Sequence, residues 1–201
     1  MLRVGLTGGL ASGKSFIGRT LEQLGCHWIR ADEIGHAVLA RDGEAYAGVV
    51  SEFGSAILGE DGAIDRRKLG AIVFGGPERL ARLNALVHPP VFARQERMLE
   101  EIAARDPNGI AVVEAAIMIE TGSHRRYRKL IVAVCPLETQ IERAMARDGA
   151  TREQVLARLA RQMPLEEKMK FADYAIDTSG TKEETAGRTR AVHESLRSLE
   201  Q

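Results

Sequence analysis

The amino-acid sequence predicts an α/β protein, a parallel sheet flanked by helices, and three observations point there. Short apolar runs of strand length recur at Leu2 to Leu6, Cys26 to Ile29, Ile110 to Ile119, Leu130 to Cys135 and Tyr174 to Ile176. Stretches of helical periodicity separate them, and strands alternating with helices are the pattern of a parallel, doubly wound sheet. A glycine-rich turn joins the first run to the first helix, with Lys14-Ser15 directly behind Gly13. With 201 residues, 44% hydrophobic and 28% charged, the chain can bury a sizeable core as one large or two small domains.

Each element has its own warrant. Leu2 to Leu6 runs into Thr7-Gly8-Gly9, and Ile17, Leu21 and Leu24 recur at helical spacing until Gly25 closes the segment as a C-cap. Cys26 to Ile29 is the second strand and ends at Arg30-Ala31-Asp32. From Glu33 to Glu100 the periodicity is helical, with breaks predicted at Asp42-Gly43, Gly59 to Gly62, Gly75-Gly76-Pro77 and Pro89-Pro90, which reads as a helical insertion. Ile110 to Ile119 and Leu130 to Cys135 are the strongest buried strands, being continuously apolar as parallel strands covered on both faces must be. Thr151 with Gln154 predicts a capping box for a helix to about Met163, and Thr181 with Glu184 predicts another for the C-terminal helix.

The turn between the first strand and helix carries chemistry. Gly8-Gly9-Leu10-Ala11-Ser12-Gly13-Lys14-Ser15 fits the phosphate-loop pattern in the strand-to-helix context that the pattern requires. Glycines let backbone N–H groups turn toward a phosphate, and the helix that starts near Gly13 adds its positive end. Lys14 reaches the β and γ phosphates, and the Ser15 hydroxyl suits Mg2+ bridging them. The residues expected to hold the nucleotide are therefore Gly8, Ala11, Ser12, Gly13, Lys14, Ser15 and Phe16, with Ser15 toward the metal. The fold class is a P-loop NTPase-type parallel sheet flanked by helices, with a nucleoside triphosphate and Mg2+ as the expected ligands.

Charge and composition exclude other classes. The 28 basic and 28 acidic residues cancel, so the chain offers no overall field for a nucleic acid. No apolar run approaches the roughly 20 residues of a membrane span. The opening residues lack the order of a signal peptide, and Cys26 and Cys135 match no metal or redox spacing, so a reducing cytoplasm is the expected location. The two asparagines, Asn84 and Asn108, are not followed by Lys, which removes the Asn-Lys-x-Asp guanine reader of GTPases. The stretch from Ser123 to Arg161 holds nine Arg and Lys against four Asp and Glu, and is distinctly basic. Asp32 stands at the carboxyl edge of its strand, where ligands bind in open sheets, and reads either as an acceptor-binding carboxylate or as the N-cap of a helix from Glu33.

These residues together resemble the dephospho-CoA kinase family over nearly the whole chain. The resemblance rests on Leu6-Thr7-Gly8-Gly9 through Ser15, Ala31-Asp32, Asp65-Arg66 before Leu69, Asn84 to Pro89 and Glu120-Thr121-Gly122. It continues through Arg143 to Gly149, Arg158, Gln162-Met163-Pro164, Lys168, Ala172-Asp173-Tyr174 and Asp177 to Gly180. Three positions depart from the family pattern. Arg30 stands for the first acid of Asp-Ala-Asp, Ala116 falls where the family has proline, and Thr178 replaces an asparagine.

The resemblance implies transfer of the γ-phosphoryl group of ATP to the ribose 3′-hydroxyl of dephospho-CoA, the final step of coenzyme A synthesis, with ATP and dephospho-CoA as small-molecule partners. No nucleic acid, membrane or obligate protein partner is implied. Asp32 takes the role of base, Lys14 of phosphate ligand, and Arg143 and Arg158 of lid arginines that stabilise the transferring phosphate. The division implied is a nucleotide core of 1–27, 108–136 and 172–201, an acceptor-binding helical region of 28–107, and a helical lid of 137–171. Glu114 reads either as a metal-water ligand or a solvated strand end, and His88 as a packing residue. Two alternatives share the phosphate loop: another small-molecule kinase of the shikimate or nucleoside type, and an ATP-binding regulator without turnover.

Overall fold

The computed structural model describes residues 1–73 and 75–199; Phe74, in the expected acceptor region, and residues 200–201, in the expected core, lie outside them. Five parallel strands form one sheet: β1 (Leu2–Gly8), β2 (His27–Arg30), β3 (Ile110–Glu114), β4 (Lys129–Val134) and β5 (Tyr174–Asp177), in the order β2-β3-β1-β4-β5. β1 is central because both its faces are covered; Val4 and Leu6 are fully buried, as are Val112, Val113, Ile131 and Val132 beside them. The register sets Leu6 opposite Glu114 and Gly8 opposite Ala133, so the end of β3 lies level with the entry to the glycine turn.

Contacts divide the chain into two compact units, residues 1–30 with those from 101 onward, and residues 31–100. The first contains the sheet with α1 (Lys14–Gln23), α6 (Leu137–Asp148), α7 (Arg152–Leu159), α8 (Leu165–Met169) and α9 (Lys182–Arg197). Leu2, Leu6, Ile17, Leu21, Ile131 and Leu196 form its main core, and Leu10, Ile141, Ala144 and Val155 a smaller one. The second contains α2 (Ala31–Val38), α3 (Tyr46–Phe53), α4 (Arg66–Val73) and most of α5 (Pro77–Arg105). Its buried residues include Ile34, Val38, Val49, Ile57, Leu69, Val73 and Val91.

Both capping boxes form, with reciprocal bonds at Thr151–Gln154 and Thr181–Glu184. Four expectations are corrected. β3 ends at Glu114, not Ile119, because the next residues close into a turn; Thr121 Oγ1 donates to Ile117 O at 3.0 Å and Ser123 Oγ to Met118 O at 3.1 Å. α7 ends at Leu159, not Met163, where tighter bonds from Arg161 N to Arg158 O and Gln162 N to Leu159 O lead into Pro164. Pro89 and Pro90 do not break α5. Two prolines strain a helix interior, yet Val91 and Leu99 beyond them are buried, and tertiary packing of an apolar face outweighs local propensity. Asp32 lies inside the first turn of α2, which begins at Ala31, so it is not an N-cap.

Candidate active site

The glycine turn is built to receive an anion. Ala11 (φ 53°) and Gly13 (φ 86°) take left-handed backbone conformations, which turn successive N–H groups toward one side. α1 then starts at Lys14 with no capping side chain on its N-terminus and no acid in its first turn, so the helix's own first residues leave its positive end uncompensated. Lys14 folds back over the turn, its Nζ donating to Gly9 O at 2.8 Å and Gly8 O at 3.3 Å. Phe16 follows, half-buried, in the first turn of α1.

Two neighbours brace this turn. On one side Thr178, buried just past β5, donates from Oγ1 to Ser12 O at 2.9 Å, and Arg143 of α6 donates to Thr178 Oγ1 and O at 3.1 and 2.7 Å. A Cβ on Gly13 would stand 3.1 Å from Thr178, so the substitution of the family's asparagine still leaves a side chain that closes on the loop. On the other side Ser15 Oγ donates to Glu114 Oε1 at 3.0 Å, and Trp28 Nε1 donates to Glu114 Oε2 at 3.1 Å. Glu114 is 8% exposed, which removes the reading of a solvated strand end. The guanidinium of Arg30 lies over the Trp28 ring, 5.0 Å from its centre, so the residue that departs from the family pattern packs onto the tryptophan that orients Glu114.

The remaining candidates are held differently. Arg158 donates to Asp148 Oδ2 at 2.5 Å, and Arg147 pairs with the same carboxylate at 2.7 Å. These hydrogen bonds, Arg147's first, hold the Asp148 carboxyl well below the usual carboxylate range. Arg143 and Arg158 are therefore not brought together: the first sits on Thr178 and the second on Asp148. Asp32 is exposed in the second unit, two residues past the end of β2. His88 packs on Phe92 with ring centres 5.8 Å apart, and burial lowers its pKa.

The sequence leaves Glu114 between two roles and does not single out Trp28. The signal for Glu114 was an acid closing the apolar run from Ile110 to Val113. Nothing in the sequence linked Trp28 to it, because 86 residues separate the two. Mg2+ prefers oxygen ligands and is commonly held by one or two carboxylates with substrate phosphates. The Ser15 hydroxyl on a buried carboxylate fits that donor set, whereas the described residues hold no cluster of three or more His, Cys, Asp or Glu.

A five-stranded parallel sheet with a phosphate loop at its centre, a carboxylate level with that loop and basic helices beyond it defines a phosphate-loop kinase. The dephospho-CoA kinase family model matches residues 2–184. The chain is 43% identical to dephospho-CoA kinase of Carboxydothermus hydrogenoformans over 90% of this chain and 88% of the relative. It is 41% identical to that of Geobacillus kaustophilus over 99% and 98%. The solved dephospho-CoA kinase of Campylobacter jejuni superposes with a TM-score of 0.73 at 28% identity, covering 99% of this chain and 98% of that one. A shikimate kinase from Acinetobacter baumannii shares the fold, with a TM-score of 0.52 at 16% identity over 99% and 94%. The chain belongs to the dephospho-CoA kinase family and is a kinase of coenzyme A synthesis. Among the described residues no helix is long and apolar enough to cross a membrane.

Proposed function

We propose that the chain carries out the family's reaction at the phosphate loop, with the work divided among its own residues as follows. The loop amides and Lys14 bind the β and γ phosphates of ATP. Ser15 and Glu114 would hold Mg2+, which would neutralise charge on those phosphates. Asp32 orients the ribose 3′-hydroxyl of dephospho-CoA and accepts its proton as the oxygen bonds to the γ-phosphorus and the bond to ADP breaks. Transfer through a loose transition state asks little proton abstraction of the base, so an ordinary carboxylate serves. Residues 28–107 form the acceptor region. Residues 137–171 act as a lid that brings Arg158 onto the transferring phosphate and excludes water, while Arg143 keeps Thr178 against the loop.

The observation that supports this reading is the Ser15–Glu114 hydrogen bond of 3.0 Å at the mouth of the loop, which sets a hydroxyl and a carboxylate side by side. ADP release from ATP and Mg2+, with and without dephospho-CoA, tests it. Release that requires dephospho-CoA is expected. Release driven instead by shikimate or a nucleoside would favour another small-molecule kinase, and ATP binding with no acceptor-dependent release would favour a regulator. Asp32→Asn should lower acceptor-dependent turnover by ~10²–10⁴ with ATP affinity nearly unchanged; wild-type turnover in that variant would remove Asp32 from the reaction.

A further inference from the structure

The segment directly after α7 also reaches the phosphate loop. Gln162 Oε1 accepts the Leu10 N–H at 2.9 Å. Leu10 is also the loop's apolar anchor, buried with Ile141 and Ala144 of α6 and Val155 of α7. The position of Gln162 is fixed from behind. The next residue, Met163, donates its N–H to Glu120 Oε1 at 2.9 Å, and Glu120 pairs at 2.9 Å with Lys168. Lys168 is fully buried, and its Nζ also donates to Ala116 O at 2.7 Å. A buried ammonium is tolerated only with such partners, so this pair fixes one arrangement of the segment. Ala116 lies two residues beyond Glu114, the carboxylate that holds Ser15.

The end of the loop that Gln162 touches is identified by Lys14. Its Nζ bends back to the carbonyls of Gly8 and Gly9, so the group that meets the β and γ phosphates sits at the start of the loop, beside Leu10. Gln162 also lines, with Gly9 and Gln140, a cavity of about 420 Å³ beside that end of the loop. Gln140 Oε1 is buried there with no hydrogen-bond partner, and a Cβ on Gly9 would stand 2.2 Å from it. The loop entry thus meets one side-chain amide at Gly9 and another at Leu10, and has no room to shift toward Gln140.

We propose that Gln162 is a positioning residue for phosphoryl transfer: its side-chain amide holds the Leu10 amide, and with it the terminal-phosphate end of the loop, while Glu120 and Lys168 hold Gln162 in place. This rests on the reading of the loop as the ATP site. When residues 160–164 are seated, the loop is set for the γ phosphate; when they lift away, the Leu10 amide is released.

The experiment measures acceptor-dependent turnover, affinity for a non-hydrolysable ATP analogue, affinity for ADP and thermal unfolding in the wild type, Gln162→Leu, Glu120→Ala and the double variant. A wild type without acceptor-dependent turnover would overturn the functional reading itself, whatever the variants do. With an active wild type, Gln162→Leu should lower turnover about 3- to 10-fold, the scale of one hydrogen bond. It should weaken the ATP analogue more than ADP and leave unfolding in place. Glu120→Ala should act in the same direction, and the double variant should lose less than the product of the two single losses, because both act through one contact. Gln162→Met, similar in length but without the amide, gives the same readout if Gln162→Leu fails to fold. Equal weakening of the ATP analogue and ADP, multiplicative losses, or wild-type turnover in the Gln162 variants would overturn the proposal.

Discussion

The phosphate loop and the basic stretch at 137–171 both offer cationic side chains to a nucleotide, but they hold them in opposite ways. The loop is fixed from within the fold: Thr178 is buried against Ser12, and Glu114 is buried against Ser15. In the other stretch Arg147 and Arg158 share the exposed carboxylate of Asp148, and Arg152 rests on exposed Glu138. Exposed ion pairs contribute about 0–1 kcal/mol and are screened by salt, whereas a buried polar group that loses its partner costs about 1–3 kcal/mol. The loop is therefore preorganised, whereas on the proposed reading Arg158 leaves Asp148 for a phosphate at little cost. Arg143, bonded twice to Thr178, is tied to the loop although its helix lies in the proposed lid.

This contrast can be broken most forcefully at Lys14. Lys14→Ala removes an electrostatic donor from the preorganised side and should lower turnover by ~10²–10³ with cooperative unfolding retained. A variant with normal turnover and normal melting would mean that the fixed loop is not the reacting site. The two arginines sharpen the contrast at a smaller scale. Arg158→Ala should lower turnover by about tenfold or more and leave ATP affinity close to wild type, because its interaction is made only in the transition state. Arg143→Ala should weaken ATP binding and turnover together, since Thr178 then loses the partner that holds it at Ser12. Steady-state kinetics with direct ATP titration separates the two patterns, and identical patterns would erase the distinction drawn here.

The smallest effect expected lies away from both regions. Burial, aided by Arg197, lowers the pKa of His193 from the ordinary value of 6.5, and burial likewise lowers His88. Below pH 6.5 the unfolded chain then binds more protons at these sites than the folded one, so stability is intact above that pH and declines as pH falls through the depressed values. Urea midpoints between pH 7.5 and 5.5 should shift downward, and His193→Asn should flatten the slope without altering turnover at neutral pH. A slope unchanged by that substitution would show that His193 is not a source of the decline.

Local chemistry was legible in the sequence wherever a few neighbouring residues decide the structure. The phosphate loop, both capping boxes and, to within one residue, the starts of the strands are readable from short stretches. Element ends set by distant partners were not. Ile117 to Ile119 are as apolar as a strand, but hydroxyls of Thr121 and Ser123 turn the chain there, and β1 has by then bent into its glycine loop. Pro89-Pro90 reads as a stop until the burial of Val91 and Leu99 is known. In the site, Ser15 and Lys14 announce themselves by motif, while Trp28, Thr178 and Gln162 act through contacts 86 to 166 residues away in the chain. Those contacts have no periodic or spacing signature.

Amide hydrogen exchange along the chain, with and without a non-hydrolysable ATP analogue and dephospho-CoA together, tests the contrast between a fixed loop and a movable lid most directly. Amides in residues 150–164 should exchange faster in the free protein and become markedly protected with both ligands, while those of Leu130 to Val134 in β4 stay equally protected in both states. Protection of 150–164 that is already complete without ligands, or that does not change when both are bound, would contradict that contrast.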